Sequence, residues 1–193
     1  MTIPNILTII RLILTPFFIV SFILGLQVWS ILIFSVAGFT DLIDGTIARL
    51  LKQYSVKGAF LDPMADKFLL ESCFICLFAS GIIPWWFFIL AFGRDLMIVC
   101  GIFYLEYHKA PLPYKATIAS KIATIFQLAV AIMGLIVWWQ PNITVGYTPL
   151  ASIFFGMLIV TTCLVVVSGA QYVFIGLHIL REKHIVGEGA LRS

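Results

Sequence analysis

Residues 28–66 read VWSILIFSVAGFTDLIDGTIARLLKQYSVKGAFLDPMAD. The run from 28 to 40 carries no charge, and four aspartates follow it: Asp41 and Asp44, then Asp62 and Asp66. On a helix, spacings of three and four set each pair on one face. The connection between the pairs is short and basic, with Arg49, Lys52 and Lys57, and it lets two helices run antiparallel. All four carboxylates can then converge at one end of a helix pair. In an apolar bundle an ionised carboxylate is costly unless it is paired or bound to a metal.

The rest of the chain makes the setting apolar. Of 193 residues, 62% are apolar and 11% charged, with a mean hydropathy of +1.10. Soluble domains run at roughly 45–50% apolar and about 25% charged, so an ordinary water-soluble globule is excluded. Crossing a ~30 Å hydrocarbon core takes roughly 20 helical residues, which leaves no room for a sizeable soluble domain beside the spans. Hydropathy and helix breakers predict six spans, roughly 4–25, 28–51, 60–80, 84–107, 117–139 and 148–181. The breakers are Gly25, then Gly81 and Pro84, then Pro111 and Pro113, then Pro141, Asn142, Gly146 and Pro149. The last span is longer than a bilayer needs, which implies tilt or projection.

Basic residues collect near the first end, in the 49–57 and 109–121 connections and at the C-terminus. The connections near Gly25, near Gly81 and from 139 to 148 carry no charge. The positive-inside rule therefore turns both termini and the two charged connections to the cytoplasm. Trp29, Trp85, Trp86, Trp138 and Trp139 supply an interfacial belt on the opposite side. The first apolar stretch contains Arg11 and lacks a small-residue cleavage site, so it is expected to be retained as a helix. The expectation is an all-α integral membrane protein of six transmembrane helices in one bundle, residues 1–193 forming a single domain with both termini cytoplasmic.

Every candidate ligand atom in the aspartate cluster is a carboxylate oxygen, with no His or Cys nearby, which favours Mg2+ or Mn2+ over zinc. Mg2+ takes one or two carboxylates and completes its shell with water and phosphate, so four carboxylates suit two ions. A two-metal site can hold a diphosphate and stabilise a leaving oxygen. Gly45 removes a side chain beside the carboxylates, as close approach of a nucleotide requires. Ala48 is small on the face of Asp41 and Asp44, and Arg49 can reach phosphate oxygens.

Together these residues form D-x2-D-G-x2-A-R-x8-G-x3-D-x3-D: Asp41, Asp44, Gly45, Ala48, Arg49, Gly58, Asp62 and Asp66. The pattern resembles the signature of the CDP-alcohol phosphatidyltransferases, integral membrane enzymes of phospholipid synthesis, with all eight positions and spacings kept. The resemblance implies that Asp41 and Asp62 bridge two divalent ions, that Asp44 completes one and Asp66 the other, and that Asp66 is the general base. It places Gly45, Ala48, Arg49, Ser55 and Gly58 at the CDP moiety of CDP-diacylglycerol. The opening P-N-x-L-T-x-x-R, with Pro4, Asn5, Leu7, Thr8 and Arg11, resembles the family's first segment and sets Asn5 and Thr8 near the nucleotide. Arg11 reads equally as part of that segment or as a side chain snorkelling to the interface. A homodimer is also what the family resemblance implies.

The implied chemistry is attack of an acceptor hydroxyl on the phosphorus that carries diacylglycerol, with CMP leaving. Setting the four motif aspartates aside leaves twelve basic against five acidic side chains, which attracts a phosphorylated acceptor. Arg94, inside the fourth span, reads either as an anchor for that phosphate or as half of an internal pair with Asp95 or a motif carboxylate. Lys115 and Lys121 flank the fifth span and are candidates for the same phosphate, or an ordinary positive flank. The runs G-R-D-L at 93–96, A-S-K-I-A-T at 119–124 and V-S-G-A-Q-Y at 167–172 most resemble the family branch whose acceptor is glycerol 3-phosphate. Gln171 stands where that branch leads one to expect an acidic residue. Inositol phosphate and phosphatidylglycerol are the other acceptors the family offers.

A divalent-cation transporter is the rival class, because intramembrane carboxylates also line ion pathways. Such a path needs polar groups along its whole length, and Glu71 is the one acidic residue deeper in the third span. A non-catalytic scaffold would have broken carboxylates, and these are intact. His108, His178 and His184 lack metal-ligand spacing, and Cys73, Cys76, Cys100 and Cys163 lie in apolar runs as packing residues. The net charge of +3 points to no nucleic-acid partner. The expected location is a bacterial plasma (inner) membrane, with the active site facing the cytoplasm.

Overall fold

The computed structural model describes residues 3–38, 58–107 and 117–190, with side chains over 9–38, 67–105, 107, 117–179 and 181. The helices are α1 (Ile3–Ile23), α2 (Gln27–Gly38), α3 (Gly58–Ala79), α4 (Trp85–Tyr107), α5 (Ile118–Trp139) and α6 (Leu150–Ala190). A two-residue hairpin, β1 (Thr144–Val145) against β2 (Thr148–Pro149), separates α5 from α6. Contacts divide the chain into two compact units, residues 1–84 with 131–154 and residues 85–130 with 155–193.

Local chemistry sets the helix ends. Gly25 and Gly81 adopt φ of 71° and 74°, the left-handed region that a side chain disfavours. At the first, Gly25 N–H donates to Phe22 O at 3.0 Å and Leu26 N–H to Ser21 O at 2.9 Å. The second repeats it, Gly81 N–H to Phe78 O at 2.9 Å and Ile82 N–H to Leu77 O at 3.0 Å. Both are Schellman caps, which satisfy carbonyls that a helix end would otherwise orphan. Pro84 has no N–H to leave unpaired and stands immediately before α4. At the start of α5, Thr117 Oγ1 accepts from Ser120 N–H at 3.1 Å, an N-cap.

In the first unit, α1 packs against α3. Phe18 sits 5.6 Å from Phe34 by ring centroids, and Phe22 stacks on Trp138 at 4.0 Å. Such pairs add about 0.5–1.5 kcal/mol beyond burial. Gln27 Nε2 donates to Trp138 O at 3.2 Å, and the Ser21 and Ser30 hydroxyls meet at 3.0 Å. Deeper in this unit a Cβ on Gly134 would lie 2.8 Å from Leu77 Cδ1 and 3.4 Å from the Phe154 ring, so the missing side chain admits both.

The second unit is built on three apolar stripes at helical spacing. Phe87, Ala91, Ile98 and Leu105 of α4 are buried, as are Ala123 and Val130 of α5 and Leu158 and Val165 of α6. Outward positions carry large apolar side chains instead: Trp85, Ile118, Ile125 and Phe174 are all at least 65% exposed. In the first unit, Phe17, Ile23 and Trp29 do the same. Polar groups inside and apolar groups outside are the arrangement a bilayer selects.

Three helices are long and apolar enough to cross a membrane among the described residues: Trp85–Leu105, Ile118–Trp139 and Leu150–Ile179. α1, α3, α4 and α5 fall within a few residues of the predicted spans. α6 runs on to Ala190, past the predicted end at 181, and its 41 residues reach about 60 Å at 1.5 Å each. That exceeds a ~30 Å core twofold. The hairpin falls in the connection marked by Gly146 and Pro149; Gly146, at φ 64°, opens its two-residue turn.

Candidate active site

Candidate site residues occur in each unit. In the first, α3 carries Gly58 at its first position and Asp62 and Asp66 in its opening turns. Four residues apart, the two aspartates stand one turn above the other on a single helix face. α1, which carries Asn5, Thr8 and Arg11, packs on this same helix. Two aspartates at this spacing are residue types that suit a hard divalent cation. Asp41, Asp44, Gly45, Ala48, Arg49, Ser55 and Lys115 lie outside the described residues.

Arg11 is 2% exposed, so it is an interior residue of the first unit rather than a snorkelling one. Thr15 Oγ1 donates to the Arg11 carbonyl at 2.9 Å, one turn before Pro16 removes an N–H from α1. Both Glu71 carboxylate oxygens are buried on α3, five residues beyond Asp66. Sequence reasoning noted Glu71 as the deeper acid without giving it a site role. Its signal was an ionisable group inside an apolar span, which the bilayer tolerates only for a reason. Cys73 and Cys76 are buried thiols on the same helix, as packing residues should be, whereas Cys100 and Cys163 are exposed; no disulfide joins the four.

In the second unit the inward stripes bring three helices to one guanidinium. Arg94 and Asp95 sit on the buried stripe of α4, between Ala91 and Ile98. Ser120 and Gln127 share the stripe of α5, and Ser168 that of α6. Arg94 Nη1 donates to Asp95 Oδ1 at 2.5 Å, and Nη2 donates to Ser120 Oγ at 2.6 Å and to Ser168 Oγ at 2.8 Å. Gln127 Nε2 reaches Asp95 Oδ2 at 3.4 Å. Among the described residues, Arg94 Nε and Gln127 Oε1 are buried without a hydrogen-bond partner. Gly169 of α6 lies beside this cluster, where a Cβ would make ordinary contacts at 3.4 Å with Met97 Cε and 3.7 Å with Arg94 Cγ.

The internal pairing of Arg94 with Asp95, one of its two sequence readings, is thus present. Two of its partners, Ser120 and Ser168, were not singled out beforehand. The signal was available: they belong to A-S-K-I-A-T and V-S-G-A-Q-Y, two of the runs that carried the branch resemblance, and Arg94 belongs to a third. Lys121 is exposed, one position off the inward stripe of α5.

Comparison with known proteins agrees with this pattern. The family model described as CDP-alcohol phosphatidyltransferase matches residues 1–168. A CDP-diacylglycerol–glycerol-3-phosphate 3-phosphatidyltransferase of Salmonella paratyphi A is 37% identical over 163 residues, 79% of this chain and 85% of that protein. A probable cardiolipin synthase (CMP-forming) of Drosophila melanogaster is 36% identical over 145 residues, 67% of this chain and 45% of that protein. A cardiolipin synthase (CMP-forming) / mitochondrial hydrolase fusion protein of Schizosaccharomyces pombe is 39% identical over 112 residues, 58% of this chain. The chain spans only 19% of that fusion protein and less than half of the Drosophila one. With the full aspartate pattern and a family match over most of its length, the chain belongs to the CDP-alcohol phosphatidyltransferase family.

Proposed function

We propose that this chain transfers the phosphatidyl group of CDP-diacylglycerol to glycerol 3-phosphate, forming phosphatidylglycerophosphate and releasing CMP. The observation that carries the choice of acceptor is the likeness to the Salmonella protein, which extends over 79% of this chain and 85% of that one. An acceptor hydroxyl oxygen bonds to the phosphorus bearing diacylglycerol, the bond to the CMP oxygen breaks, and the hydroxyl proton passes to Asp66. Metal-bound carboxylates are weak bases, so proton transfer follows partial bonding of the oxygen to phosphorus.

Asp41, Asp44, Asp62 and Asp66 are the residues to hold two divalent ions, Mg2+ or Mn2+; the helical spacing of Asp62 and Asp66 on α3 supports this. Bound there, the ions supply charge neutralisation of the diphosphate and of the leaving oxygen. Asn5, Thr8, Gly45, Ala48, Arg49, Ser55 and Gly58 bind the CDP-diacylglycerol head group. Arg94, Lys115 and Lys121 bind the acceptor phosphate.

Residues 1–193 act as one domain of six spans with both termini in the cytoplasm, in a bacterial plasma membrane and as a homodimer. The three apolar spans, the uncharged connections at Gly25, Gly81 and 139–148 and the basic ones at 49–57 and 109–121 support this layout.

A second reading is favoured by the cardiolipin synthase relatives: the same chemistry with phosphatidylglycerol as acceptor. An acceptor panel separates the two. Purified protein with CDP-diacylglycerol and Mg2+ receives glycerol 3-phosphate, phosphatidylglycerol or inositol phosphate, and lipid products are identified by mass spectrometry. Phosphatidylglycerophosphate is expected. Cardiolipin alone would replace the acceptor and keep the family chemistry, and Mg2+ flux through liposomes without CMP release would favour the transporter.

A further inference from the structure

A groove runs between α4 and α6 on the second unit, with Arg94 and Gly169 on the wall at one end. It has two hollows of about 420 and 380 Å³ that share Met97 and Val173. Along α4 it extends from Ile89 to Leu105, and along α6 from Val165 to Leu177. At 1.5 Å per residue the α4 wall is about 24 Å long, more than half of a ~30 Å hydrocarbon core. One leaflet's acyl chain therefore fits along it.

The groove is kept open rather than filled. A Cβ on Gly93, Gly101 or Gly176 would meet nothing within 4 Å, although all three line the groove. Glycines that serve helix packing in membranes are closely approached by a neighbour, as Gly134 is by Leu77. These three are not. Toward the far end of the groove stands Tyr104, an aromatic body with a polar tip, while Tyr172 lies beside Val173 at its middle. Arg181 follows Leu177 by one turn on the same face of α6, is exposed, and lies just beyond the apolar span that ends at Ile179. A cation at that depth faces lipid head groups.

We propose that the α4–α6 groove is a lipid site, holding one acyl chain of an anionic bilayer phospholipid whose phosphate lies at Arg181. The chain fills the space beside Met97, Tyr172 and Val173, and Tyr104 stands toward the head group. The groove shares Arg94 with the proposed acceptor site, but the lipid phosphate is assigned to Arg181, and lipid retention and CMP release are read separately, so failure of either proposal is distinguishable.

The test is lipid retention. Purified protein is reconstituted in equal parts phosphatidylglycerol and phosphatidylcholine, re-extracted in mild detergent, and its retained lipid is counted by mass spectrometry. Wild type is expected to keep phosphatidylglycerol over phosphatidylcholine several-fold. Gly101→Leu and Gly176→Leu should at least halve the lipid retained, and Arg181→Gln should remove the preference while the chain still binds. Equal retention of the two lipids by wild type, or unchanged retention in both leucine variants, would overturn the proposal. Conversion of a dimer to a monomer by the leucine variants, with lipid retention unchanged, would assign the groove to a second copy instead. Independent of any variant, phosphatidylglycerol with a photoreactive acyl chain should label wild type around Met97 and Val173; labelling spread evenly over all helices would contradict the site.

Discussion

Ser168 Oγ accepts a hydrogen bond from Arg94 Nη2 at 2.8 Å, across 74 residues of chain. Both side chains are buried, and Ser120 accepts from the same nitrogen at 2.6 Å. The α4 guanidinium is therefore held by one hydroxyl from α5 and one from α6, with Asp95 balancing its charge. A buried charged donor that loses a partner keeps its desolvation penalty, about 1–3 kcal/mol or more. Ser168→Ala is expected to lower the thermal midpoint in detergent, and Ser120→Ala with Ser168→Ala to lower it by other than the sum of the two singles, because they share one nitrogen. Midpoints unchanged in both single variants would remove the clasp.

The Arg94–Asp95 pair has an asymmetric signature. Removing one partner of a buried ion pair costs roughly 3–5 kcal/mol, whereas replacing both with apolar residues of similar size is often neutral. Asp95→Ala should strongly reduce the folded yield, and Arg94→Met with Asp95→Leu should restore it in part. The double variant should still lack the acceptor-binding contribution proposed for Arg94. Folded yield measured by size-exclusion chromatography decides this; a double variant worse than Asp95→Ala would contradict it.

Glycines of two kinds should respond differently to alanine. Gly81 has φ 74° and caps α3, so Gly81→Ala forces a side chain into the left-handed region at a cost of about 1–2 kcal/mol. Gly101 lies within α4 and a Cβ there meets nothing. Gly101→Ala should be neutral or stabilising by up to ~1 kcal/mol, the helix-propensity gain. Thermal unfolding of the two variants side by side reads the difference.

Asp66→Asn keeps the size of the side chain and removes its basicity. The proposed reaction predicts loss of turnover with part of the CDP-diacylglycerol binding kept, read by a filter-binding assay beside a CMP assay. Near-normal turnover would take the base role from Asp66.

How much of this was legible in the sequence depends on what each feature is made of. Span positions came from hydropathy and from Gly25, Gly81 and Pro84, because helix ends are decided by residues within one turn of them. The hairpin at 144–149 was not foreseen, since two-residue strands carry no periodicity; Pro141, Asn142, Gly146 and Pro149 marked a connection there but not its strands. The end of α6 was also missed: hydropathy stops where the apolar run stops, while the helix continues through Arg181 to Ala190. Among the site residues, the aspartates stood out because charge is expensive in an apolar chain. Ser120, Ser168 and Gln127 did not, because serine and glutamine in a membrane helix are ordinary, and only the folded stripes of α4, α5 and α6 bring them together. Arg94 was visible as a cation in an apolar span, but which of its readings applies depended on the partner that the fold supplies.

The most direct test of the central claim is the stoichiometry of phosphatidyl transfer. Purified protein, CDP-diacylglycerol, Mg2+ and glycerol 3-phosphate are mixed, and CMP and phosphatidylglycerophosphate are counted together. The account predicts one CMP for each phosphatidylglycerophosphate, both abolished by a chelator and both absent in Asp66→Asn. No CMP with any acceptor, or CMP accompanied only by phosphatidic acid, would contradict it.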